Sequence, residues 1–389
     1  VRLPREIWVM VGAALLVALG YGVVSPVLPR FAISFDVSVT AANVVVSVFA
    51  FFRLVFAPTA GRLIGALGER PMYISGMLVV AASSFASAFA HSYWQLLIYR
   101  GVGGIGSVTF TVAATSLIIK NAPRGAQGRA SAAYGGGFLL GGIAGPAIGS
   151  LLAPLGMRAP FIIYVVTLVL AALLVAILTP RQQLSDTGKG DVAQRERADL
   201  STTLALPLYR RLLFASFANG WTNLGVRVSL VPLLAAALAG APEWLPGAAL
   251  TVYAAGNAIS LLMAGRIADR RGRAAAISFG LVVSGLFSVM LGWLPWQAML
   301  VCCVFAGLGA GFIQPGMQGQ MADILDGREG GRVIAAFQMA GDVGQIAGPV
   351  VAGWLVDISG YGLAFAFAGS LLLLASGPWL RMNFSSRGA

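Results

Sequence analysis

Histidine occurs once, at His91, and cysteine only twice, side by side at Cys302 and Cys303. One histidine leaves no paired nucleophile and base and no ligand set for a metal, so an intramembrane enzyme is a poor reading and no catalytic residue is expected. Adjacent cysteines inside an apolar run suit neither a disulfide framework nor metal-ligand spacing, and they read as packing residues. Charge is scarce too: charged residues are 10% of the 389, with 14 acids against 26 Lys and Arg. A water-soluble globular domain needs far more polar surface than that.

What is present is apolar. Hydrophobic residues make up 58% of the chain, and glycine occurs 50 times. So many glycines would weaken soluble helices, whereas membrane bundles use small residues to bring helix backbones together. A bilayer core of about 30 Å needs about 20 mostly apolar residues per helix. Such runs fall near 7–31, 39–66, 71–90, 93–120, 127–153, 159–179, 207–238, 244–267, 273–294, 296–322, 331–356 and 361–380, which makes twelve. They are apolar all round and lack the polar stripes of soluble amphipathic helices. The residues before the first run, Val1 to Glu6, are few and charged, with no evident small-residue cleavage site, so the first span is expected to be retained.

The net charge of +12 could suggest a nucleic-acid partner until the basic residues are placed. The N-terminus, the loops expected on the same side, the stretch between the sixth and seventh spans and the C-terminus hold 21 of the 26, and the opposite loops hold two, Arg30 and Arg158. That asymmetry predicts cytoplasmic termini and makes the charge a topology signal, with no nucleic acid implied. The remaining three, Arg53, Arg100 and Arg227, fall inside spans. An arginine at a helix centre costs about 2.5–3.5 kcal/mol on insertion scales, so each needs a partner, a watery cavity or a function.

The chain repeats itself. Trp94 to Phe161 realigns with Trp296 to Phe365 with one residue of slippage, and Gly142-Ile143-Ala144-Gly145-Pro146 matches Gln345-Ile346-Ala347-Gly348-Pro349. A shorter pair joins Gly61-Arg62-Leu63 to Gly265-Arg266-Ile267. Between the halves lies a polar stretch with Asp186, Lys189, Asp191, Arg195, Glu196, Arg197 and Asp199. The expectation is an all-α membrane protein of twelve transmembrane helices in two pseudo-symmetric six-helix bundles: 1–180, a cytoplasmic linker at 181–206, and 207–389. Repeated bundles of this kind suit a transporter that rocks around a site near mid-membrane.

With these features the sequence resembles the major facilitator superfamily over essentially its whole length, and within it the twelve-helix drug/proton antiporters. The most specific element is in the fifth span, where Gly141, Gly145, Pro146 and Gly149 are similar to the antiporter pattern of glycine, three residues, Gly-Pro, two residues and glycine. The first span adds Gly20-Tyr21-Gly22, Ser25-Pro26 and Leu28-Pro29, and the fourth adds Arg100 followed by Gly103-Gly104 and Gly106, similar to the family's buried arginine motif. The superfamily's cytoplasmic loop signature is matched in the second half by Gly265, Ala268, Asp269, Arg270, Gly272 and Arg273. Its first-half copy has Gly61, Arg62 and Arg70, but Gly65 stands in place of the acid, and Glu69 is the candidate to compensate.

The resemblance implies export driven by the proton gradient with no bound cofactor, and a role for Arg100 in proton coupling. Among the acids, Asp342 lies eleven residues into the eleventh span and is the leading titratable group. Arg53 lies at similar depth in the second span, and the resemblance implies that those two spans face each other, so Asp342 and Arg53 are expected either to pair in one state and separate in the other according to the protonation of Asp342, or to be a fixed salt bridge or two separately satisfied groups. His91 and the acids at span ends are expected at the surface. Polar and aromatic residues that interrupt the spans are candidates to line a solute cavity: Tyr21, Phe110, Tyr134, Asn219, Trp221, Asn223, Arg227, Tyr253, Asn257, Gln314, Gln318 and Gln338. Arg227 favours an anionic or zwitterionic solute. The expected protein is a monomeric exporter of a small amphipathic, drug-like or lipid-like molecule in a bacterial inner membrane; a lipid or glycolipid flippase and a proton/solute symporter are the alternatives.

Overall fold

In a computed structural model of the chain, residues 3–121, 127–179, 199–326 and 331–385 are described, apart from the side chains of a few residues within these stretches. Among them there is no strand. The helices are α1 (Arg5–Val24), α2 (Leu28–Ile33), α3 (Val39–Leu67), α4 (Glu69–Ala88), α5 (Tyr93–Asn121), α6 (Gln127–Leu151), α7 (Ala159–Leu178), α8 (Leu200–Ala205), α9 (Pro207–Asn219), α10 (Arg227–Ala237), α11 (Leu245–Arg271), α12 (Arg273–Met290), α13 (Trp296–Leu325), α14 (Gly331–Ser359) and α15 (Tyr361–Ser385). A π-helical segment, Gly220–Val226, joins α9 to α10. Among the described residues nine helices are long and apolar enough to cross a membrane.

Two expected spans are broken where continuous helices were predicted. The first bends at residues 25–27 between α1 and α2, because Pro26 and Pro29 each lack an N–H for the ladder. The seventh contains the π segment, which re-aims the side chains that follow it. The loop signature also reads differently in three dimensions. Gly61, Arg62 and Gly65 lie in the last turns of α3, and the chain turns at a single residue, Gly68, with φ +87°. In the second half α11 runs on through Gly265, Asp269 and Arg270 to Arg271, and Gly272, also at φ +87°, makes the turn. The side chains of Asp269 and Arg270 lie outside the described residues. Glycine is required at both turns because an L side chain is strained at that φ.

The residue after each glycine ties its helix down. Glu69 accepts a hydrogen bond from Ser116 Oγ on α5 at 3.2 Å, and Arg70 donates to the Ala176 carbonyl of α7 at 2.6 Å. In the second half Arg273 bonds the Gly319 carbonyl and pairs with the Asp323 carboxylate on α13. The Glu69–Ser116 contact lies within the first half. His91 is exposed just beyond α4, its N–H donating to the Gln95 side chain at 2.9 Å.

The contacts divide the chain into two compact units, residues 1–186 with 242–251, and residues 187–241 with 252–389. Polar linker residues up to 198 lie outside the described residues; beyond them Asp199 caps α8 through the Thr202 N–H at 3.3 Å. In the first unit α1 packs on α6 and α7, and α5 on α3 and α4. In the second, α14 packs on α9 and the π segment, and α12 on α13 and α15. Tyr209 and Ser216 of α9 donate to the Val333 and Phe337 carbonyls of α14 at 2.7 and 3.0 Å.

The glycines of α6 explain its seat on α1. A methyl group at Gly141 would sit 2.5 Å from the Leu15 carbonyl oxygen, and one at Gly145 would sit 2.5 Å from that of Leu19 and 2.7 Å from Gly22 Cα. At Gly149 it would meet the Val23 carbonyl oxygen at 3.0 Å. These are backbone atoms, which cannot move aside as a side chain can. Pro146 shares the contact, since a methyl at Gly22 would lie 2.7 Å from its Cδ. The second half repeats it, since a methyl at Gly225 would lie 2.8 Å from Pro349 Cδ. Gly142, by contrast, has nothing within 4 Å. Gly145→Ala is therefore expected to destabilise the detergent-solubilised protein by about 1–3 kcal/mol, while Gly142→Ala stays within about 0.5 kcal/mol; thermal melts of the two variants check the difference.

Candidate functional site

Each unit holds an arginine against an aromatic ring. In the first, Arg100 of α5 is 2% exposed and its guanidinium lies over the Phe49 ring of α3, 4.5 Å from the centroid. Phe49 stacks with Tyr21 of α1 at 6.5 Å, and Tyr21 meets Tyr164 of α7 edge-on at 6.4 Å. No described carboxylate pairs with Arg100, and its Nε has no hydrogen-bond partner. A desolvated cation–π contact is worth about 2 kcal/mol or more, which is of the same order as the cost of the buried charge. Gly103 admits α5 here, since a methyl there would lie 2.6 Å from Ser83 Oγ.

In the second unit the arginine is Arg227, at the start of α10, with its guanidinium 3.9 Å from the Tyr253 ring centroid on α11. Four helical segments converge on it through one amide. Asn223 Oδ1 accepts from the Tyr253 hydroxyl at 2.9 Å and from Ser284 Oγ of α12 at 3.1 Å. Its Nδ2 donates to Asn219 Oδ1 at 2.9 Å, and its backbone carbonyl accepts from Arg227 Nε at 2.8 Å. Next to it, Thr222 donates to the Ala368 carbonyl of α15 at 2.7 Å. The π segment puts Asn223 and Arg227 together, and Arg227, Asn223, Tyr253, Cys303 and Ser288 line a recess of about 10 Å³, room for one water-sized group.

The two clusters occupy corresponding places. Gly104 abuts the Phe49 carbonyl, and Gly307 abuts that of Tyr253, so Tyr253 stands where Phe49 stands and, counting from those glycines, Cys303 stands where Arg100 stands. The cation over the ring is kept in both halves but comes from different helices, α5 in one and α10 in the other. Cys303 is indeed a buried free thiol, as expected of a packing residue, but it also borders the recess. Ser284, Phe49 and Cys303 were not legible as site residues; aligning the repeat on Gly104 and Gly307 puts Cys303 opposite Arg100, whereas the Trp94–Trp296 match puts Cys302 there, and no local signal marks the other two.

Other candidates are placed separately. Phe110 is 4% exposed and packs edge-on against Tyr73 at 6.2 Å in the core of the first unit. Tyr134, half-buried, meets Phe138 edge-on at 5.2 Å. The Trp221 ring is buried between Phe217 and Phe367, with centroids at 5.7 and 5.8 Å. Asn257 is half-buried and its carbonyl accepts from Ser260 at 3.0 Å. Gln318 and Gln338 are exposed and border a wider cleft of about 180 Å³ between α13 and α14, while Gln314 is exposed. Arg53 is half-buried on α3 in the first unit, and Asp342 half-buried on α14 in the second.

Removing the amide at the centre of the second cluster leaves two buried hydroxyls without their acceptor. Asn223→Ala is accordingly expected to cost about 1–3 kcal/mol of stability and Ser284→Ala less, as read by thermal melts in detergent.

Comparison with known proteins fits these features. A tetracycline resistance protein of class H from Pasteurella multocida is 24% identical over 386 residues, covering 91% of this chain and 90% of the relative. Multidrug resistance protein 1 of Bacillus subtilis is 27% identical over 355 residues, covering 87% of each. Among solved structures, a bacterial homolog of the human lysosomal transporter Spinster superposes with a TM-score of 0.76 at 15% identity over 98% of both chains, and the nucleoside transporter NupG with 0.76 at 11% over 97% and 100%; these show the fold. The family model described as Major Facilitator Superfamily matches residues 10–246 and 212–383. With repeated helical halves, glycine-mediated packing and this match over nearly its whole length, the chain belongs to the Major Facilitator Superfamily.

Proposed function

We propose that the chain exports a small, partly apolar solute across a bacterial inner membrane in exchange for protons, by alternating access, as a monomer with both termini in the cytoplasm. Residues 1–180 and 207–389 act as the two moving bundles and 181–206 as their tether. The observation that carries the reading is the seat of α6 on α1: the glycine–proline stripe of the antiporter pattern is used in full as a backbone contact, at Gly141, Gly145, Pro146 and Gly149. Relatives named for tetracycline and multidrug resistance, matched along about nine-tenths of their length, support the same direction of transport.

Proton coupling needs a group that titrates inside the bilayer. Asp342 is a half-buried acid well inside α14, so it is the proposed carrier. Arg100 has no carboxylate partner among the described residues, so its part is to hold positive charge beside α1, α3 and α7. The proton gradient is the energy source, and the solute passes without chemical change.

Purified protein in liposomes with an imposed proton gradient tests this. A pH dye is followed while drug-like compounds of each charge are added to the wild type and to Asp342→Asn. The expected outcome is that at least one compound dissipates the gradient through the wild type and that the variant loses most of this activity, about tenfold or more, as for loss of an essential proton carrier. Dissipation by no compound, or equal rates in the variant, would sink proton antiport through Asp342.

A further inference from the structure

The hydrogen-bonding groups around Arg227 are unbalanced. Asn223 Oδ1 already accepts two hydroxyls, its backbone carbonyl takes Arg227 Nε, and Asn219 Oδ1 takes the Asn223 amide. The recess is lined largely by apolar residues, among them Val226, Val231, Leu291 and Phe365, and the cation that borders it is Arg227, whose guanidinium carries donors only. No described carboxylate pairs with Arg227, in a chain segment where an arginine is costly. The contrast with the first unit sharpens the point. Arg100 is shut away at 2% exposure, whereas Arg227 is half-buried and borders free space. In the place that corresponds to Arg100 the second unit has a small thiol, and the cation enters from α10 on the recess side instead.

From this we infer that the recess is an anion subsite, and that the solute is an amphipathic organic anion or zwitterion, such as a carboxylate or phenolate, whose charged oxygen is held by Arg227. The recess has room for one such oxygen and not for a whole solute, so the apolar body stays outside it. The Tyr253 ring lies against the guanidinium, a side-chain hydrogen bond joins the same two residues, and the Asn223 carbonyl holds Nε, so the guanidinium is fixed in place and its remaining N–H groups are the donors for an acceptor. The inference rests on the export reading for its purpose, but its chemistry is tested without transport.

Binding to the full chain in lipid nanodiscs is measured by tryptophan fluorescence with three probes that share a phenylbutyl body: 5-phenylpentanoate, 4-phenylbutanol and 4-phenylbutylamine. The wild type is expected to bind the carboxylate about tenfold more tightly than the alcohol, and the amine more weakly than either. Arg227→Gln removes the preference and leaves the alcohol unchanged, while Arg227→Lys keeps part of it. Equal binding of amine and carboxylate by the wild type, or undiminished carboxylate binding by folded Arg227→Gln, overturns the subsite. So does sodium chloride alone reproducing the Arg227-dependent signal, which would make it a halide site. Should Arg227→Gln fail to fold, the charge series on the wild type decides. Charge-selective binding with no proton movement in liposomes would remove the export reading and leave the subsite standing. A cation exported equally well by wild type and Arg227→Gln would do the reverse.

Discussion

Backbone-to-backbone contact at small residues is the constraint on which the rest of the structure depends. In a bilayer, apolar side chains gain little by leaving lipid for protein, so helices associate through close packing and hydrogen bonds. α6 meets this condition on α1 through glycines spaced one turn apart, and each contact falls on a carbonyl or a Cα that has no room for a side chain. The same arrangement recurs between α14 and the π segment, and between α5 and α3 and α13 and α11. Because the helices are so close, polar side chains reach carbonyls of neighbouring helices: Tyr209, Ser216 and Thr222 all do so.

That closeness also accounts for where charge can be kept. A buried guanidinium needs a large, polarisable neighbour when no carboxylate is available. Both halves supply a ring at the corresponding place, Phe49 and Tyr253, and both supply the cation, but from different helices. The two halves therefore share the device but draw its cation from different helices. The first half shields its cation completely; the second leaves one edge of its cation toward a recess. Internal symmetry in the backbone coexists with asymmetry in chemistry, as the ties after the two turn glycines also show: Glu69 with Ser116 in one half, Arg273 with Asp323 and the Gly319 carbonyl in the other.

Much of the fold was legible because bilayer thickness sets the length of apolar runs, and because the repeat and the glycine–proline stripe are local patterns. Asn219, Asn223, Arg227 and Tyr253 were legible as candidates for a simpler reason: polar groups stand out in apolar spans. Phe110 shows the converse, since an aromatic residue inside a span gives no sign of whether it meets a ring or a cavity, and here it meets the Tyr73 ring.

The sequence by itself determined the membrane class, the helical repeat and the identity of the intramembrane charges, which follow from composition, run length and spacing, while the family followed from the resemblance of its motifs and the match of the family model. Tertiary structure alone decided the break at Pro26, the π segment, the single-glycine turns at Gly68 and Gly272, and the convergence of Asn223, Arg227, Tyr253 and Ser284. The reason is geometric. A one-residue change in helical winding rotates a side chain by about 100°, and whether two polar groups far apart in sequence meet depends on that rotation and on how closely glycines allow the helices to approach.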